Sequence, residues 1–93
     1  MTIGMLRVSL FIPDSSSLKE KRMVLHSLKA RLRNNFNVAV TQVDGEDKWQ
    51  SSTIAVVGVE RDRRKMNSLL SQVVNFIQGF EGAELVNQEM ELI

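Results

Sequence analysis

At 93 residues the chain is long enough for one domain with one core, and stability to spare is modest. Its 43% hydrophobic and 25% charged residues are ordinary for a globular protein, and the absence of cysteine excludes disulfides, cysteine-ligated zinc and thiol catalysis. A net charge of +1 hides an uneven spread: the segment 14–36 carries +4 and the remainder −3, with Glu81, Glu84, Glu89 and Glu91 gathered near the C-terminus.

Residues 2–12 alternate, with Leu6, Val8, Leu10 and Ile12 on one face and Met5, Arg7, Ser9 and Phe11 on the other, which predicts a strand. Pro13 ends it, since proline cannot donate to the ladder. The run is broken by Arg7 and Ser9 and is too short to span a bilayer. It also lacks a signal peptide's basic start and small-residue cleavage site, so a cytoplasmic location and no membrane partner are expected.

Ser17-Leu18-Lys19-Glu20 matches a capping box, in which Glu20 reaches back to the Ser17 amide, and a helix is expected to begin there. Leu18, Leu25, Leu28, Leu32 and Phe36 line its core stripe, with Val24 at the margin; Asn34 and Asn35, which tolerate left-handed backbone, are expected to end it. Residues 37–43 alternate as a second strand, followed by a polar turn at 44–47. Residues 52–60 form a third strand, apolar on both faces as suits a central position. Asp62 caps a second helix with Met66, Leu69, Leu70, Val73, Val74 and Ile77 at core spacing, ended by Gly79. Residues 83–93 form the last strand, with Val86, Met90 and Leu92 on one face and Glu89 and Glu91 on the other.

The order β-α-β-β-α-β predicts a single α+β domain over 1–93, ferredoxin-like, with two helices on one face of a four-stranded antiparallel sheet. The first and third strands are central in that topology.

Candidate chemistry is sparse. His26 is the only histidine, and Asp44, Glu46 and Asp47 lack the ligand spacing of a calcium loop, so no metal site and no cofactor are expected. Gly79 and Gly82 lie between a helix and a strand, the wrong side for a phosphate loop. No catalytic constellation emerges, and the chain is not expected to be an enzyme.

Lys19, Arg22, His26, Lys29 and Arg33 recur every three or four residues and share one flank of the first helix. Aligned like charges repel by a few tenths of a kcal/mol per pair unless a counter-charge arrives, so the row suggests an anionic partner as well as a solvated face. Lys21 is a further candidate cation, and His26 adds positive charge only in mildly acid solution. Arg61, Arg63, Arg64 and Lys65 make a second basic cluster at the start of the second helix, where cations oppose the helix dipole. Trp49 precedes the central strand and is expected to be a half-buried packing residue rather than a stacking platform. The sheet's open face, with Phe11 as its only aromatic, does not support base stacking across it; Met5 and the third strand's apolar residues are candidates for a homodimer interface.

Ser17-Leu18-Lys19-Glu20-Lys21-Arg22, then Phe36-Asn37-Val38, Val43-Asp44, Asp47 and Trp49-Gln50 resemble the YlxP-like family of small bacterial proteins, a domain-of-unknown-function family. The resemblance spans nearly the whole chain and implies a ferredoxin-like fold. Genes of that family often lie near those for translation initiation and ribosome-binding factor A, which implies a role near the ribosome. Two departures stand out: Gln42 where many members have Glu, and Ser51 where many have a basic residue. Together, residues and resemblance lead to a non-enzymatic binding protein that meets RNA, as on the ribosome, through its basic helix. The alternatives are a homodimeric interaction module and a small-anion sensor.

Overall fold

The computed structural model describes all residues, Met1–Ile93. Its elements are β1 (Thr2–Phe11), α1 (Leu18–Asn35), β2 (Val38–Asp44), β3 (Ser51–Glu60), α2 (Arg63–Gln78) and β4 (Glu84–Leu92). The strands form one antiparallel sheet in the order β2-β3-β1-β4, and the helices cover one of its faces: the ferredoxin-like arrangement, with β1 and β3 central.

The core lies between sheet and helices. Leu6, Val8 and Leu10 of β1 and Ile54 and Val56 of β3 meet Leu25, Leu28 and Leu32 of α1 and Met66, Leu70, Val73 and Ile77 of α2. Gly4 continues the β1 row where a Cβ would collide with the Met66 Sδ and Cγ atoms, so the sequence leaves that position bare. Phe36 and Phe76 close the gap between the helices edge to face, with centroids 5.8 Å apart.

Three local expectations are corrected. Glu20 does not close a capping box on the Ser17 amide. It takes the Ser16 amide at 3.2 Å and the Ser16 hydroxyl at 2.8 Å, while Ser17 Oγ caps the Glu20 amide at 3.1 Å. The N-cap stands, but the carboxylate is displaced one residue upstream. At the other end α1 does stop at Asn35, as expected, but no asparagine turns left-handed: Phe36 goes extended, at φ −137°, while its amide still bonds the Leu32 carbonyl.

The third correction concerns β4. Met90 and Leu92 face the core side opposite Leu6 and Gly4, but the register slips between Ser9 and Leu10, where Leu10 meets Leu85. Leu85 packs on the core and Val86 is left 67% exposed. A bulge exchanges the two residues' environments, which strict alternation could not anticipate.

Candidate functional site

At about 100° per residue, the row Lys19, Arg22, His26, Lys29 and Arg33 sits roughly 90° around α1 from the Leu25-Leu28-Leu32 stripe. One flank of α1 faces α2 and the loop after it: the Arg31 guanidinium lies 5.6 Å from the Phe80 ring centroid, and Val24 abuts Gly82. The basic row occupies the other flank, above the edge strand β2. Arg33 shows this directly, donating from Nη2 to the Val40 carbonyl at 2.8 Å.

The members are not equivalent. Lys19, Arg22, His26 and Arg33 are exposed and Lys29 is half-buried. Arg33 commits part of its donor fork to β2, whereas Lys19, Arg22 and His26 border a shallow hollow of about 390 Å³ with the exposed Met23. The cations best presented to a partner therefore lie in the first half of the helix.

Lys21 is not among them, and its assignment to an anion-binding surface is corrected. It is 1% exposed, lies on the core stripe four residues before Leu25, and donates through Nζ to the Gly45 carbonyl and, at 3.4 Å, to the Ser51 carbonyl. Burial pushes its ammonium below the usual lysine range; neighbouring Arg22 adds to the shift, and Asp47 and Glu46 oppose it. The spacing Lys21, Leu25, Leu28, Leu32 carried this information, since a charged residue on a core stripe must find acceptors inside.

Those acceptors fix the β2–β3 loop. Gly45 has φ +86°, and a Cβ there would come within 2.9 Å of the Ser51 carbonyl, so both backbone conformation and space demand glycine. Asp44 Oδ1 accepts from the Gly45 amide at 2.8 Å, and the Lys48 amide closes back on the Gly45 carbonyl at 3.1 Å. Gln50 joins the loop to the end of β1: its carbonyl accepts from Ile12 at 2.8 Å and its side chain donates to the Pro13 carbonyl at 3.1 Å. Between these anchors Trp49 is 57% exposed, so the expected half-buried packing role is corrected. The polar neighbours Glu46, Asp47, Lys48 and Gln50, which offer no apolar cover, are the sequence signal for this. Nearby, Gln42 Nε2 donates to Ser52 Oγ at 2.8 Å, which gives that departure from the family pattern a local structural partner.

Arg61, Arg63, Arg64 and Lys65 are all exposed around the start of α2, where Asp62 Oδ1 caps the Lys65 amide at 2.9 Å. They stand at the opposite end of the sheet from the β2–β3 loop, since Glu60 pairs with Thr2 and Ser51 with Phe11. This cluster is thus separate from the exposed first half of the α1 row. The acids lie elsewhere again: Glu84, Glu89 and Glu91 are exposed along β4, the edge opposite β2. The sheet's helix-free face carries half-buried Ile3 and Met5, exposed Val57 and Val59, and Arg7 between Ala55 and Glu89. No three His, Asp or Glu side chains converge as a metal-holding group, and no helix is long and apolar enough to cross a membrane.

The model of the family described as "Protein of unknown function (DUF503)" matches residues 3–90. A Bacillus subtilis (strain 168) protein named uncharacterized protein YlxP is 34% identical over 82 residues, which cover 88% of this chain and 89% of that one. Among solved structures the chain is similar to SnoaB, a cofactor-independent oxygenase from Streptomyces nogalater, with TM-score 0.50 and 14% identity over 99% of this chain and 90% of that one. It is also similar to LarC2, the C-terminal domain of a cyclometallase involved in synthesis of the NPN cofactor of lactate racemase, with TM-score 0.50 and 13% identity; there 100% of this chain spans 55% of the other. At these identities the likeness to both is one of fold alone.

Proposed function

The chain belongs to the DUF503 family of proteins of unknown function, and from that premise we propose that it is a non-enzymatic module that binds RNA through phosphate contacts along α1. The observation that carries this reading is the exposed row Lys19, Arg22 and His26, continued by Lys29 and Arg33, on the flank of α1 beside the edge strand. The permanent cations Lys19, Arg22, Lys29 and Arg33 are about 4.5–10.5 Å apart along the helix axis, which presents a line of cations rather than a point charge. A line of cations suits a polyanion, whose bound counterions are released on contact. The acids of β4 at the opposite edge orient the molecule, so a polyanion approaches the β2 side. With the ribosome as target, this face would meet ribosomal RNA.

The test is the salt dependence of binding to heterogeneous RNA, measured for the native chain and for Lys19→Glu plus Arg22→Glu. Log affinity should fall with log salt at about 0.7–0.9 per phosphate neutralised, and the double variant should lower that slope by roughly 1.4–1.8. New acids near the N-terminus of α1 favour its dipole, so loss of binding would not reflect loss of the helix. Salt-independent binding, or binding unchanged in the double variant, would remove the reading.

The uncovered sheet face favours a second reading, a homodimer. Four strands about 4.8 Å apart and seven to ten residues long offer about 600 Å² in projection, close to the ~800 Å² that each partner of a standard interface buries. Sedimentation at low and high salt tests it: a monomer at both excludes it. A small-anion sensor with its pocket at such a dimer seam would fall with the same result.

A further inference from the structure

We propose that Trp49 is a stacking platform for one unpaired base, so that the RNA bound by the basic flank of α1 is single-stranded where it passes the β2–β3 loop. This inference rests on the phosphate-binding reading above and narrows its substrate class.

Trp49 is 57% exposed, yet the backbone on either side of it is held. Before it, the Gly45 carbonyl accepts from the Lys48 amide at 3.1 Å; after it, Gln50 bonds Ile12 at 2.8 Å and Pro13 at 3.1 Å. Lys21 grips the loop from the helix, donating to the carbonyls of Gly45 and Ser51, which bracket Trp49 in sequence. An indole on a fixed backbone, with most of its surface in water, adds little to the core and loses little entropy when a flat partner covers it.

The same clamp decides what lies nearby. Lys21 shares a turn of α1 with Lys19 and Arg22 but lies on the core stripe, so its reach to Gly45 and Ser51 holds the Trp49 loop at the N-terminal end of the helix, at the end of β2, the strand over which the basic row lies. Lys48, the residue before Trp49, is exposed as well and borders a hollow with Phe11, Ser51 and Thr53. An aromatic face beside a short run of cations is the composition that holds single strands, with the ring taking a base and the cations taking adjoining phosphates. A duplex keeps its bases stacked inside and offers the indole no free face. The chain's only other exposed aromatic, Phe11, lies on the helix-free face of β1, away from the basic flank of α1.

Trp49 is the only tryptophan and there is no tyrosine, so intrinsic emission reports on this one side chain. The experiment titrates the full chain with an unstructured 12-nucleotide RNA and with a blunt RNA duplex of the same length. Trp49 emission is followed beside the anisotropy of an end-labelled strand. Expected are quenching by the single strand, weaker binding of the duplex without quenching, and an affinity for the single strand about tenfold lower in Trp49→Ala at an unchanged salt slope. Trp49→Phe should retain most of the affinity, which a merely structural effect of cutting back the loop would not explain. Single-strand binding seen by anisotropy with unchanged emission, or equal affinity of Trp49→Ala and the native chain, overturns the stacking platform and leaves the phosphate reading intact. No anisotropy change with either RNA overturns both.

Discussion

The Lys21 ammonium donates to the Gly45 carbonyl across 24 residues of sequence, so a charge in the first turn of α1 closes the β2–β3 hairpin. The bond sits inside the protein, with Lys21 1% exposed and Gly45 in a left-handed turn.

Truncating that side chain should hurt more than discharging it. Lys21→Ala removes buried methylenes and both hydrogen bonds and should cost about 2–4 kcal/mol. Lys21→Met keeps the volume and spares the ammonium its desolvation, and Gly45 retains the Lys48 amide as a donor. It should cost no more than about 1 kcal/mol. Urea unfolding checks the order. Equal losses in the two variants would mean that the tether, not the packing, dominates.

Alkaline pH gives an independent check on the same residue. Burial, aided by Arg22, lowers the Lys21 pKa in the folded state below the ordinary lysine value of 10.5. Between the lowered value and 10.5 the unfolded chain therefore binds more protons than the folded one, and stability rises with pH. The penalty is fully present below the folded pKa and is relieved as pH climbs towards 10.5. The stability difference between the native chain and Lys21→Met should shift in favour of the native chain over that window. A difference independent of pH would place the ammonium in water.

Gly4→Ala should destabilise by about 1–3 kcal/mol, because its Cβ would enter space filled by the Met66 thioether, which is fully buried and hemmed in by the core. Gly4→Ala combined with Met66→Ala should cost less than the sum of the two single losses. Thermal melts of the two single variants and the double variant make the measurement.

Leu85→Ala and Val86→Ala should differ in the sense opposite to simple alternation. Leu85 packs on the core and should cost about 1–2 kcal/mol, whereas Val86, 67% exposed, should fall within about 0.5 kcal/mol of neutral. Urea midpoints compared between the two variants locate the bulge in solution.

These residues also mark what the sequence made legible. The period-2 row of β1, the uniformly apolar β3 and the caps Ser17 and Asp62 all act locally, and local patterns suffice to order the elements into this topology. The β4 bulge escaped because it depends on where β1 sits beside β4, a long-range registration. For Lys21 the spacing marked a place on the core stripe, but its acceptors lie 24 and 30 residues away, and no local pattern identifies them. For the candidate site, helical spacing placed Lys19, Arg22 and His26 in the open. It could not show that Arg33 spends a donor on Val40, or that the loop is folded so as to leave Trp49 uncovered.

The two sheet margins described above bear opposite charge, with the cations of α1 over β2 and the glutamates along β4. Neighbouring molecules would thus be drawn together margin to margin, and strands that met this way would propagate into an endless ribbon. Both margins break their pairing register, β2 between Gln42 and Asp44 and β4 opposite Ser9 and Leu10. The irregular strands spoil the flat template that polymerisation needs, letting the chain keep a strong electrical polarity without turning it into a seed for fibres.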